Sequence, residues 1–215
     1  MEAMDKEMVL WPTPRGAVAI CSHCKPDAIR AYIFDSQFGS HAHYRSLYTR
    51  RESLENIAAR PGANVTLALS GGVRIVGFGV LAYPEPGERW ARLGDRLMVE
   101  VKAIEVSRSW RCAGIAGGML KRMLFNADIE SKIVYMVGYS WTWDLDGTGK
   151  SAQQYRKMLI DLFEPFGFQE YQTNEPNLCL KPENIFLGRI GKAVGAKQKE
   201  NFKWLRFGIY PDTPS

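Results

Sequence analysis

The spacing of apolar and polar residues divides the chain into an ordered series of strands and helices. Apolar runs predict strands at residues 16–22, 64–69, 73–83, 99–106, 133–140, 168–172 and 184–190. Apolar residues at helical spacing predict helices at residues 26–34, 44–60, 115–127, 151–166 and 196–207. The order, β-α-α-β-β-β-α-β-α-β-β with a C-terminal helix, predicts an α/β (α+β) protein whose helices flank a mixed central sheet of about seven strands.

Turn residues and length suggest how these elements are organised. Ser70-Gly71-Gly72 predicts a hairpin between two strands. Residues 84–94 are polar, hold two prolines and are predicted to form a surface insertion. Residues 1–15 are predicted to be a flexible leader, and residues 16–215 a single domain with a C-terminal helix.

Composition narrows the class of protein. The chain is 46% hydrophobic and 24% charged, which is ordinary for a globular domain, and no apolar run approaches the roughly 20 residues of a membrane span. The charged start does not resemble a secretory signal, so a cytoplasmic protein without a membrane partner is expected. The net charge of +5 fits a polyphosphate ligand or an acidic partner, whereas the scattered basic residues argue against nucleic acid.

The four cysteines do not form a disulfide framework. Cys21 and Cys24 have the spacing of metal ligands. Together with His23, His41 and His43 they fall within 23 positions. A structural zinc site usually shows a second tight pair, which is missing here, so no metal is expected.

The strongest chemical signal is the link after the strand at 99–106. It reads Arg111-x-x-Gly114-x-Ala116 and opens a helix at Gly114. The first N–H groups of a helix lack partners within the helix and lie at the positive end of its dipole, so such a turn can hold phosphate groups. A dinucleotide G-x-G-x-x-G and a Walker Lys-Ser/Thr pair are both absent. A plain helix start with small residues for packing stays open.

This loop after an apolar strand resembles the acetyl-CoA pyrophosphate loop of the GNAT N-acetyltransferases, and the element order agrees. The resemblance implies that the fourth and fifth strands splay apart and that acetyl-CoA is the co-substrate. More narrowly, the sequence resembles the acetoin utilization protein A family in five segments. These are residues 83–90, 103–106, 141–149 with Trp-x-Trp-Asp, 155–157 and 188–192. The segment with two cysteines and three histidines is not typical of that family.

The resemblance implies which residues contact the cofactor. The backbone of the loop binds the pyrophosphate, and Lys121 and Arg122 can reach the 3′-phosphate, although a solvated helix face explains them as well. The expected cofactor-binding residues are Ile104, Val106, Arg111, Cys112, Ala113, Gly114, Ile115 and Ala116.

Two carboxylates on the central strand are candidates for the general base. Glu100 and Glu105 face opposite sides of a regular strand, and a bulge would bring both near the cleft. Glu100 is favoured because it lies eleven residues before Arg111, the offset of the catalytic glutamate in histone-type GNATs. Glu105 is the alternative because burial would raise its pKa. Structural pairing with a basic residue stays open for either.

The general acid is left unassigned. GNATs often carry a tyrosine four residues before a Gly-Phe pair, and here that position is Phe163, which has no proton to give. Tyr155, two turns upstream, is a weak catalytic candidate.

Trp141, Trp143 and Asp144 are expected to bind the acceptor, with the aromatic rings lining a lysine tunnel and the carboxylate attracting the ammonium group. The alternative is a packed loop in which Asp144 caps the following turn.

The family implies the reaction: transfer of acetyl from acetyl-CoA to a lysine of acetyl-CoA synthetase, which switches that enzyme off. A small-amine acetyltransferase and a non-catalytic acyl-CoA-binding regulator are the alternatives, and a homodimer stays open.

Overall fold

The computed structural model describes residues 8–210, with the backbone alone for Ala127. The strands are β1 (Met8–Trp11), β2 (Val18–Cys21), β3 (Ile33–Phe34), β4 (Ser40–His41), β5 (Tyr44–Arg45), β6 (Asn64–Ser70), β7 (Arg74–Ala82), β8 (Met98–Val106), β9 (Ile133–Gly138), β10 (Gln169–Glu170) and β11 (Ile185–Ile190). The helices are α1 (Pro26–Arg30), α2 (Arg51–Ala58), α3 (Ile115–Leu124), α4 (Leu145–Thr148), α5 (Ala152–Phe163), α6 (Pro176–Cys179) and α7 (Ala196–Leu205). The large mixed sheet flanked by helices confirms the predicted fold class, although over residues 8–210 that sheet has nine strands and not about seven.

Contacts group the chain into two compact units. Among the described residues, the first unit comprises residues 8–82, Lys102–Phe125 and Asp146–Thr148, and the second comprises Tyr83–Val101, Asn126–Leu145 and residues 149–210. Strand β8 contributes residues 98–101 to the second unit and residues 102–106 to the first. The single domain expected over residues 16–215 stays a prediction.

The sheet of the first unit runs in the order β1-β2-β6-β7, and the carboxyl half of β8 follows β7. The pairs from β1 to β7 are antiparallel, and β3 joins β7 in parallel. One face packs on a cluster with residues of α1 and α2, and the other packs on α3. A Cβ on Gly77 would lie 3.1 Å from Met119 Cε, so glycine lets α3 approach the sheet closely.

The second unit is built around an aromatic core. Strand β8 pairs with β9 in parallel, with Glu100 opposite Tyr135 as the last pair, and β9, β11 and β10 continue as antiparallel neighbours. Trp90, Tyr135 and Phe186 stack between these strands and α7. Because Trp90 is buried in a 3₁₀ turn at Arg89–Leu93, the prediction of a wholly superficial insertion at residues 84–94 is wrong.

A local sequence signal explains where α5 begins. Ser151 and Gln154 form a capping box in which each side chain accepts a hydrogen bond from the other residue's backbone N–H, and α5 begins after it. Helices α5 and α7 lie within their predicted ranges, and α3 ends three residues early.

The amino-terminal third departs most from the predictions. The helix expected at 44–60 begins only at Arg51, because Tyr44–Arg45 pairs with Ser40–His41 in a small hairpin. The helix expected at 26–34 ends at Arg30, and β3 follows it. Such short pairings carry too few residues to show a period.

The predicted leader is wrong for Met8–Trp11, which forms β1 and pairs with β2. Residues 1–7 of that leader lie outside the described residues. Within residues 8–210, no helix is long and apolar enough to cross a bilayer.

Candidate active site

The link between β8 and α3 forms a tight turn with backbone conformations suited to an anion. After a 3₁₀ turn at Arg108–Trp110, Cys112 has φ 61° and Gly114 has φ 72°, both in the left-handed region. Gly114 is the N-cap of α3, and its carbonyl accepts the N–H of Gly118 at 3.0 Å. Gly114 has no side chain that could cap the helix, so the first N–H groups are available to an anionic ligand.

Arg111 fixes the turn to the strand before it. Its Nε donates to the carbonyl oxygen of Val106 at 3.0 Å, and the N–H of Ser107 donates to Val76 at 2.9 Å. The N–H of Ser109 donates to Oε1 of Gln37 at 2.8 Å. Arg111 therefore has a structural contact as well as a charge near the loop.

The structure brings the expected cofactor-binding residues together at one end of α3. Ile115 is 1% exposed and packs with Val106 in the cluster beneath α3, and Ile104 borders the same cluster. Cys112 is exposed on the turn, and Ala113 and Ala116 are half-buried beside it. These residues therefore lie close together at the start of α3, and their role as cofactor contacts stays a prediction.

Glu105 lies in the first unit and is contacted by Tyr44, in β5, and by Leu47, just after that strand. Its Oε1 accepts the backbone N–H of Leu47 at 2.7 Å. Burial raises the pKa of the Glu105 carboxyl; the Leu47 N–H, the Tyr44 hydroxyl and the charge of Arg111 offset part of that rise. A carboxylate with a raised pKa is a stronger base than an exposed one.

Glu100 lies in the second unit, where it pairs with Tyr135 across β8 and β9. Burial, followed by the charges of Glu100 and Glu88, raises the pKa of Tyr135 well above its usual value. Burial and the carboxylates of Glu175, Glu100 and Glu88 raise the pKa of Tyr139 to about 12. Glu100 therefore belongs to a cluster of tyrosines and carboxylates.

The residues expected to bind the acceptor occupy different environments. Trp141 is 54% exposed and stacks on Tyr139, with the Lys181 ammonium 5.0 Å from its ring. Trp143 is 6% exposed and stacks on Tyr155, and Asp144 is fully buried. Burial of Trp143 and Asp144 agrees with the packed-loop alternative, which leaves Trp141 as the aromatic ring of this loop that is open to a partner.

The remaining candidate residues differ in packing and exposure. Phe163 is fully buried edge-to-face against Phe168, and Tyr155 is half-buried against Trp143. Lys121 is exposed, and the buried Nε of Arg122 has no hydrogen-bond partner among the described residues.

The segment with cysteines and histidines is used in local contacts. His41 stacks on Tyr44 within the hairpin, and the thiol of Cys24 donates to the carbonyl of Cys21. Across residues 8–210, no group of three or more His, Cys, Asp or Glu side chains could hold a metal ion.

Sequence reasoning missed two contacts at this site. One is the segment 44–47 that contacts Glu105, for which no sequence signal stands out. The other is Trp11, whose indole N–H donates to the carbonyl of Ala113 at 3.1 Å. The signal for Trp11 was the spacing Gly114-x-x-x-Gly118, which leaves a flat helix face for a large neighbour.

Comparison with solved structures defines the class. An acetyltransferase of the GNAT family from Streptococcus pneumoniae is 13% identical and has a TM-score of 0.51, over 79% of this chain and 98% of that one. No protein-family model matches the chain. The chain therefore shares the fold of a GNAT-family acetyltransferase.

Closer relatives define the family within that class. The structure of an acetoin utilization protein from Exiguobacterium sibiricum has a TM-score of 0.85 at 27% identity, over 94% of this chain and 93% of that one. The acetoin utilization protein AcuA of Bacillus licheniformis is 30% identical over 195 residues, or 91% of each chain. The chain belongs to the acetoin utilization protein AcuA family, which confirms the predicted resemblance.

Proposed function

We propose that this protein transfers the acetyl group of acetyl-CoA to a protein lysine, with an acetyl-CoA synthetase as the expected acceptor. The observation that carries the proposal is the left-handed turn at Cys112 and Gly114, which leaves the first N–H groups of α3 available for a diphosphate. Family membership supports the acceptor, and the exposed ring of Trp141 offers a surface for a lysine side chain.

Glu105 is the preferred general base in this proposal. It lies in the same unit as the loop, its carboxyl pKa is raised, and Arg111 is near both. Glu105 takes a proton from the lysine ammonium, and the neutral amine attacks the thioester carbonyl. The nitrogen of the tetrahedral intermediate loses its second proton to solvent, the C–S bond breaks, and the CoA thiolate leaves.

Solvent is the preferred source of the proton for the thiolate. Phe163 has no proton to give, and Tyr155 is packed on Trp143. Burial raises the pKa of Tyr139 to about 12, so Tyr139 is a poorer proton donor than an ordinary tyrosine, whose pKa is about 10.

The test combines binding with transfer. Calorimetry with CoA measures the first step, and incubation of an acetyl-CoA synthetase with labelled acetyl-CoA, followed by peptide mass spectrometry, measures the second. We expect label on a lysine of the synthetase, and we expect no label when the Glu105→Gln variant replaces the parent enzyme. CoA binding without transfer to the synthetase or to any small amine would instead support a non-catalytic acyl-CoA sensor, which the apolar residue at Phe163 also favours.

A further inference from the structure

Strand β1 places a large aromatic ring against residues 111–116, which we call the cofactor loop. Trp11 is the last residue of β1 and pairs with Val18 of β2. Its indole N–H donates to the carbonyl oxygen of Ala113 at 3.1 Å, although 102 positions separate the two residues. The sheet therefore fixes the indole, and the indole fixes a carbonyl in the middle of the loop.

The same ring covers one face of the start of α3. A Cβ on Gly114 would lie 3.4 Å from Cζ2 and Nε1 of Trp11, and a Cβ on Gly118 would lie 3.0 Å from Cδ2 and Cε3. Gly118 would also meet Ile20 at 2.7 Å. Two glycines one turn apart thus form the flat surface on which the indole rests, so Gly118 serves packing on the side of the helix that faces the sheet.

The hydrogen bond to Ala113 also sets the direction of a donor. A peptide unit is planar and trans, so its C=O and the following N–H point in opposite directions. Because the carbonyl of Ala113 points at the indole, the N–H of Gly114 points away from it. That N–H belongs to the N-cap of α3, at the end of the helix where an anion would bind.

We infer that Trp11 is a positioning residue for the cofactor loop, which holds the Ala113–Gly114 peptide in the orientation that binds the CoA diphosphate. The inference rests on the proposed function, since it assumes that this loop binds CoA. Trp11 therefore affects the affinity for the cofactor, and other residues determine the rate of acetyl transfer within the bound complex.

The test compares variants that remove the N–H and the ring separately. Trp11→Phe keeps an aromatic ring and removes the donor, and Trp11→Ala removes both. Leu10→Ala is the matched control, because Leu10 is in the same strand but is 67% exposed. The measurements are the Kd of CoA by calorimetry, the KM for acetyl-CoA and kcat at saturation, with Tm as the check on folding.

Loss of one neutral hydrogen bond predicts a rise of about fivefold in the Kd and KM for the cofactor in Trp11→Phe. kcat and Tm should stay close to those of the parent, Trp11→Ala should weaken binding further, and Leu10→Ala should bind as the parent does. If Trp11→Phe lowers Tm, benzothienylalanine at position 11 keeps the ring shape without the N–H and gives the deciding Kd.

Equal CoA affinity in the parent and in the variant that lacks the N–H would overturn the inference and leave the proposed function intact. A parent protein that binds no CoA would overturn both. A fall in kcat without a change in KM would also contradict it, because the loop would then act on chemistry and not on affinity.

Discussion

Replacing Glu105 with glutamine should lower activity and raise stability at the same time. A positioned general base contributes roughly 10²–10⁴ in rate, so kcat/KM should fall by that factor. This corresponds to about 3–5 kcal/mol in the activation free energy. Glutamine keeps an oxygen that can accept the N–H of Leu47, so residues 44–47 should stay in place.

The stability effect follows from the direction of the Glu105 pKa. Because burial raises the pKa above its unfolded value, the stabilising contribution is present when the carboxyl is protonated and is lost as the pH rises through the folded pKa. Each unit of rise is worth about 1.4 kcal/mol. The neutral amide avoids this loss, so Glu105→Gln should be more stable than the parent at pH 7 and similar to it near pH 4.

The assays are denaturant unfolding at pH 7 and pH 4, and the pH profile of kcat/KM. Tyr44→Phe is an informative companion, because the Tyr44 hydroxyl lowers the pKa of Glu105. Its removal should shift the acid limb of the profile to higher pH. Parent-like activity in Glu105→Gln, with a large loss in Glu100→Gln, would refute this reasoning and assign the base to Glu100.

Three further predictions follow from particular contacts. Glu100→Gln should reduce kcat/KM by less than about tenfold, since it is not the preferred base, and should lower the pKa of Tyr139 from about 12, as measured by NMR of ¹³C-labelled tyrosine. Gly118→Ala should cost about 1–3 kcal/mol in unfolding free energy, because the new methyl group meets Ile20 and the indole of Trp11; unchanged urea unfolding would contradict the packing. Ser151→Ala should cost about 1 kcal/mol by removing the capping box of α5, with Gln153→Ala, an exposed position that takes no part in that box, as the control.

The sequence predicted the parts of the fold that carry a long period or a strong turn signal. Apolar spacing is visible in the longer elements, which are β6, β7, β8, α3, α5 and α7. Ser70-Gly71-Gly72 predicted the hairpin between β6 and β7. The hairpin β4–β5 has only two residues in each strand, and β1 depends on pairing with β2. Such pairings are decided by tertiary contacts that a local window does not contain.

The candidate site shows the same division. The loop from Arg111 to Ala116 could be predicted as a candidate anion site because Gly114 indicates the left-handed backbone that the structure shows there. The sequence could not decide which of Glu100 and Glu105 is the better candidate for the general base, because that depends on what surrounds each carboxylate. Leu47 contacts Glu105 from 58 positions away, and Tyr135 pairs with Glu100 across the parallel ladder.

The segment that contacts Glu105 has a consequence for turnover. Leu47 and Tyr44 donate to the carboxylate, and hydrogen bonds to a charged acceptor are roughly twice as strong as those to a neutral one. In the proposed mechanism Glu105 takes up a proton, which should weaken its hydrogen bonds to residues 44–47 until the proton is released. The proposal therefore predicts that this segment loosens once in each turnover.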